Sequence, residues 1–131
     1  MVRRVILESP YAGEVERNVA YARACLRDSL LRGEAPLASH LLYTQPGVLD
    51  DDDEVERRMG IDAGLEWGRR AWATVVYEDL GHSGGMKQGI HRAIAEGRPV
   101  EYRTLPSDVF KKIFFDYPTT TSTPPIERRG L

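Results

Sequence analysis

With 131 residues, 41% hydrophobic and 29% charged, the chain has the size and composition of one globular domain that buries roughly two-thirds of its unfolded surface. A formal net charge of −2 gives no bulk electrostatic pull toward nucleic acid or an anionic membrane, and no run of about 18 apolar residues is present to span one. The single cysteine, Cys25, excludes an internal disulfide and reads as a packed thiol in a reducing compartment; without a signal-peptide core at the N-terminus, a cytoplasmic location is expected.

The first element is the strand Arg3–Glu8, marked by the β-rich run Val5–Leu7 and stopped by Ser9-Pro10-Tyr11-Ala12-Gly13. Apolar residues at Val15, Val19, Ala22, Leu26 and Leu30 then predict a helix over Glu14–Arg32, ended by Gly33. Ala35–Leu42 reads as a weaker second strand, with Pro36 tolerated at a strand start or edge. The turn Tyr43–Gly47 leads into four aspartates, Asp50–Asp53. They lack the spaced oxygen ligands and glycine of a calcium loop, and Asp53 with Glu56 instead suits a helix cap and its capping-box partner.

The next predicted helix, Glu54–Arg70, carries Gly60, Gly64 and Gly68 at four-residue spacing, a bare stripe along one face. Each interior glycine costs about 1 kcal/mol relative to alanine, so close packing is expected there: a helix, a sheet or a partner subunit. Ala73–Tyr77 is a buried-type third strand. The loop Asp79–Gly85 opens a helix over Gly85–Glu96, with an apolar stripe at Met86, Ile90, Ala93 and Ile94. Pro99–Leu105 alternates like a fourth strand, Val109–Phe115 forms a short docking helix or strand, and the Thr- and Pro-rich segment from Pro118 reads as a tail. Two units are thus expected: an α/β domain over residues 1–105 and a C-terminal docking segment and tail over 106–131.

Strands alternating with helices predict an α/β fold: a flavodoxin-like or Rossmann-like three-layer sandwich with a mainly parallel four- or five-stranded sheet. With strand order 2-1-3-4, ligands bind where the chain reverses direction, outside the carboxyl ends of strands one and three. That brings Ser9, Pro10 and Tyr11 beside Gly81, His82, Ser83, Gly84, Gly85 and Met86, where a helix N-terminus offers unpartnered amides. His40 and Tyr43 close one side, and the acidic loop lies above. No G-x-G-x-x-G follows the first strand, which argues against a full dinucleotide site. His40, His82 and His91 are too scattered for a zinc site; neither metal nor cofactor is expected.

The S-P-Y-x-G at Ser9–Gly13, the S-H-L-x-Y at Ser39–Tyr43 and the S-x-G-M at Ser83–Met86 resemble the nucleoside 2-deoxyribosyltransferase-like superfamily, most of all its small bacterial and bacteriophage members. The resemblance spans roughly Val5–Leu105. It implies binding of a nucleoside or nucleotide, N-glycosidic chemistry through a glutamate on the helix after the glycine loop, and assembly into homo-oligomers. Here that helix reads Gly85-Met86-Lys87-Gln88-Gly89-Ile90, so Gly89 stands where the resemblance implies the glutamate, and the neutral amide of Gln88 is no substitute.

Three functions follow as expectations. The first is a protein that senses or sequesters a nucleotide-type ligand, as a phage protein removing a host signal would, without glycosidic chemistry. The second is an N-glycosidase or deoxyribosyltransferase with a relocated carboxylate, for which Glu66, Asp62 and Asp79 are the candidates. The third is an assembly module that uses the glycine-striped face. The expected partners are a nucleotide-like small molecule and a second copy of the chain, with neither nucleic acid nor membrane.

Overall fold

The computed structural model describes residues 2–118; the expected tail beyond Pro118 lies outside them. Four strands, β1 (Arg3–Glu8), β2 (Glu34–Leu37), β3 (Ala73–Tyr77) and β4 (Val100–Arg103), form one sheet in the order β2-β1-β3-β4. Every neighbouring pair is parallel, with Val5 opposite Ala73 and Glu8 opposite Val76. The central strands β1 and β3 are buried on both faces, which is why VIL and ATVVY read as continuous apolar runs. Pro36 sits on the edge strand β2, where its missing N–H costs no ladder bond on the outer side.

Strand alternation divides the side chains between two layers. Val5, Leu7, Val75 and Tyr77 pack with Tyr21, Ala22 and Cys25 of α1 (Val15–Leu31) and with Ile113 of α5 (Ser107–Asp116). On the opposite face, Val76 packs with Met86 and Ile90 of α4 (Gly84–Ala95), beside α3 (Glu54–Gly68). The fold is therefore an α/β sandwich of the expected three layers, and α5 shares the core of the main body. No helix among the described residues is long and apolar enough to cross a membrane.

Several expectations need correction. The second strand stops at Leu37, and Ser39–Leu42 forms a short helix, α2, which turns Leu41 into the core while Leu42 stays exposed. Side chains of Thr44 and Gln45 satisfy the carbonyls of His40 and Leu41 at its end. The fully buried line of α1 runs through Asn18, Tyr21, Ala22, Cys25 and Ser29, polar residues with internal hydrogen bonds among them. Of the expected apolar stripe, Ala22 is buried and Val19 and Leu26 pack against the core, but Val15 and Leu30 at its two ends are exposed. Ile94 is likewise exposed. Asp53 caps α3 as expected, accepting from the amides of Val55 and Glu56, but Glu56 accepts from the amide of Asp50 and so does not close a capping box.

The glycine stripe of α3 faces its own chain. A side-chain carbon on Gly60 would meet Leu49 at 3.2 Å, one on Gly68 would meet Arg98 at 3.1 Å, and one on Gly64 would lie 2.8 Å from Ser39 Cβ. The close packing is thus with α2, the sheet and Arg98, and needs no partner subunit. An ordinary Gly→Ala change in a helix gains about 1 kcal/mol. Here Gly64→Ala is expected to lose about 1–3 kcal/mol in urea unfolding, because α2 must move away from α3. A gain in stability would show that α2 is not held against this face.

Candidate functional site

Between the α3/α4 face of the sheet and those two helices lies a cavity of about 110 Å³. Its floor is Ile6 and Glu8 of β1 with Thr74 of β3, which alternation places on the same face. The bare positions Gly60, Gly64 and Gly68 of α3 and Gly89 of α4 form its walls. Ser9, Tyr11, His40, Tyr43, Ser83, Gly85 and Met86 line it as well, so loops far apart in sequence meet at one crevice.

Each of these groups is held from behind. Asn18, buried on α1, donates through Nδ2 to the carbonyls of Tyr11 (2.9 Å) and Ala12 (3.1 Å), fixing the loop after β1. Ser9 Oγ and His40 Nε2 are 2.7 Å apart. Burial lowers the His40 pKa to about 4, so at neutral pH the imidazole carries no charge. Its hydrogen bond with Ser9 then has the serine hydroxyl donating if Nε2 is the bare nitrogen of the tautomer. Tyr43 accepts from the indole N–H of Trp67 at 3.0 Å. Ser83 caps α4, its hydroxyl accepting from the amide of Met86 at 3.2 Å, while the amides of Gly84 and Gly85 in the same turn have no intrahelical acceptor.

Glu8 is the group that the sequence reading passed over. Its side chain lines the cavity, and among the described residues its carboxyl oxygens take part in no hydrogen bond. Burial pushes its pKa up from 4.5 to about 8, and the nearby Arg98 guanidinium pulls the other way without overcoming this. Arg98 is itself engaged, donating to Thr74 Oγ1 (3.0 Å), the Gly68 carbonyl (2.5 Å) and Glu96 (2.7 Å). The reason the carboxyl fits is Gly89: a side-chain carbon there would lie 2.5 Å from the Glu8 carboxyl carbon. The residue that looked like an empty catalytic position is bare because a carboxyl from β1 fills its space.

The three carboxylates favoured from sequence lie elsewhere. Glu66 is exposed and pairs with Arg69, and Asp62 is exposed and pairs with Arg58 at 2.8 Å. Asp79 is buried but structural, accepting from Tyr21 Oη at 2.7 Å and from the Leu105 amide at 3.0 Å. None of the three lines the cavity. Nor do Pro10, Gly81, His82 or Gly84. His82 turns instead toward β4, stacking on Tyr102 with its Nε2 3.0 Å from Glu78. Of the acidic loop, Asp51 reaches the cavity mouth, where it lies 3.9 Å from Arg57. Glu8, Arg98, Thr74 and Asn18 were missed. For Glu8 a signal existed, since it alternates with Ile6 and so falls on the same strand face.

The model of a protein family described as Domain of unknown function (DUF7768) matches residues 3–103. The chain belongs to that family. No curated protein matches it significantly. The matched segment runs from β1 through β4 and contains every cavity residue, whereas α5 lies outside it.

Burial of Glu8 has a measurable sign. Unfolded, it titrates near 4.5; folded, near 8. The native state therefore holds an extra proton between those values, and stability falls as pH rises from 4.5 to 8, by at most about 5 kcal/mol. His40 acts oppositely, contributing stability that grows as pH rises from about 4 to 6.5. Urea unfolding of the wild type is expected to show a loss of stability between pH 6.5 and pH 8, and Glu8→Gln to be flat over that range. An equal decline in the variant would show that Glu8 is already ionised in the fold.

Proposed function

We propose that the cavity binds a nucleoside- or nucleotide-type ligand. The observation that carries this reading is the convergence of seven sequence-separated residues, Ser9, Tyr11, His40, Tyr43, Ser83, Gly85 and Met86, on one cavity at the switch point of a parallel sheet. Its volume of about 110 Å³ is below the roughly 300 Å³ of an ordinary drug-sized site, which suits one sugar-sized moiety inside and the rest of the ligand at the mouth. Ser9, His40 and Glu8 offer hydroxyl partners within, and the rings of Tyr11 and Tyr43 offer stacking surface for a base. The amides at the start of α4 suit a phosphate or a sugar oxygen. The likeness of Ser9–Gly13, Ser39–Tyr43 and Ser83–Met86 to the nucleoside 2-deoxyribosyltransferase-like superfamily supports the same ligand class.

What the protein does with that ligand turns on the carboxyl. Sensing or sequestration, as by a phage protein that removes a host signal, needs only the binding groups. Glycosidic chemistry needs an acid or nucleophile at the sugar, and the presence of Glu8 in the cavity is the specific observation that favours it. Self-association belongs to the proposal through the exposed Val55, Met59 and Trp67 on the outer flank of α3, because the glycine stripe is used inside the chain. The buried thiol of Cys25, its pKa raised by burial, suits a reducing, cytoplasmic setting.

Titration calorimetry with adenosine, inosine, cytidine, their 2′-deoxy forms and their 5′-monophosphates tests the ligand class. At least one is expected to bind, and Tyr11→Ala to weaken that binding about tenfold or more through lost base stacking. No heat with any of them at millimolar concentration would overturn the reading.

A further inference from the structure

Other carboxyls that are buried or half-buried have structural work to do. Asp79 fastens Tyr21 and the Leu105 amide, and Glu34 holds Arg103 in a pair at 2.6 Å, which keeps its carboxyl below the usual range. Glu8 fastens nothing: its carboxyl takes part in no hydrogen bond among the described residues, and it faces the cavity. Placing an unbonded carboxyl there works against stability, and the fold also gives up a side chain at Gly89 to admit it. The same cavity is lined by Ser9 and His40, whose Oγ and Nε2 lie 2.7 Å apart, a hydroxyl and a neutral ring nitrogen able to orient a sugar hydroxyl or a water.

We propose that Glu8 is a catalytic acid, protonating the departing heterocycle during hydrolysis of the ligand's N-glycosidic bond. This rests on the nucleoside-type ligand proposed above. In the step, a water oxygen bonds to the anomeric carbon as the carbon–nitrogen bond breaks. The electron pair of that bond stays on the ring nitrogen, which takes the Glu8 proton. The proton shed by the attacking water returns Glu8 to its acid form, and the products are a free base and a free sugar. Protonation matters because a nucleobase is a poor leaving group as an anion. The acid form is also the one that burial favours at neutral pH.

The test compares leaving groups. The full chain is incubated with the nucleosides and monophosphates named above, base release is followed by chromatography, and p-nitrophenyl β-D-riboside is assayed in parallel because p-nitrophenolate departs without a proton. Multiple-turnover release of base is expected from the wild type. Glu8→Gln should lower it by about 10²–10⁴-fold while changing the p-nitrophenyl reaction by less than about tenfold. The double variant Glu8→Ala with Gly89→Glu, which returns a carboxyl to the same space from the helix side, should recover a substantial part of the lost rate. Base release that survives Glu8→Gln, or an equal loss on both substrate types, overturns the acid role. Calorimetry on the same proteins separates the two claims: binding without any base release overturns this proposal and leaves the ligand reading standing, and absence of both overturns both.

Discussion

Four helical positions without side chains, Gly60, Gly64 and Gly68 on α3 and Gly89 on α4, let those two helices close on the sheet, on α2 and on the loop that follows it. Alanine at those places would favour each helix by about 1 kcal/mol apiece, so glycine is a sustained cost accepted for close approach. The approach is filled by particular atoms: Leu49 against Gly60, Ser39 against Gly64, Arg98 against Gly68 and the Glu8 carboxyl against Gly89. Where the helices do not close down completely, the cavity remains, and the same glycines line it. Packing and site are one construction.

The polar groups of the site depend on the opposite layer of the sandwich. Asn18 holds the loop after β1 from behind, and Tyr21 reaches through to Asp79 after β3. Asp79 in turn accepts from the Leu105 amide, at the entrance to α5. A buried polar face on α1 therefore fixes the carboxyl ends of both central strands, which is where the ligand is proposed to bind. This accounts for the unusual stripe of that helix, in which Asn18 and Ser29 are buried while Val15 and Leu30 are not.

Much of this was legible in the sequence, because local signals and tertiary demands agreed. VIL and ATVVY marked the doubly covered strands, the alternation of elements gave the sheet order, and the switch-point rule brought Ser9, Tyr11, His40, Tyr43 and Ser83 together. Failures came where a residue's role is set by a distant neighbour. Ser39–Leu42 is apolar enough for a strand, yet the packing of Ser39 against Gly64 and of Leu41 into the core makes it helical. Gly89 read as a lost carboxylate because the residue filling its space is 81 positions earlier in the chain. Asp62 and Glu66 drew attention through their spacing, but that spacing places them on the solvent side of α3 with Arg58 and Arg69.

The central claim is that the fold keeps Glu8 as an uncharged acid facing the cavity. Carbon-detected NMR of the side-chain carboxyl, assigned by comparison with Glu8→Gln and followed from pH 3 to pH 10, measures this directly. A single titration with its midpoint near 8 is the expected result. A midpoint near 4.5, that of a solvated glutamate, would contradict it.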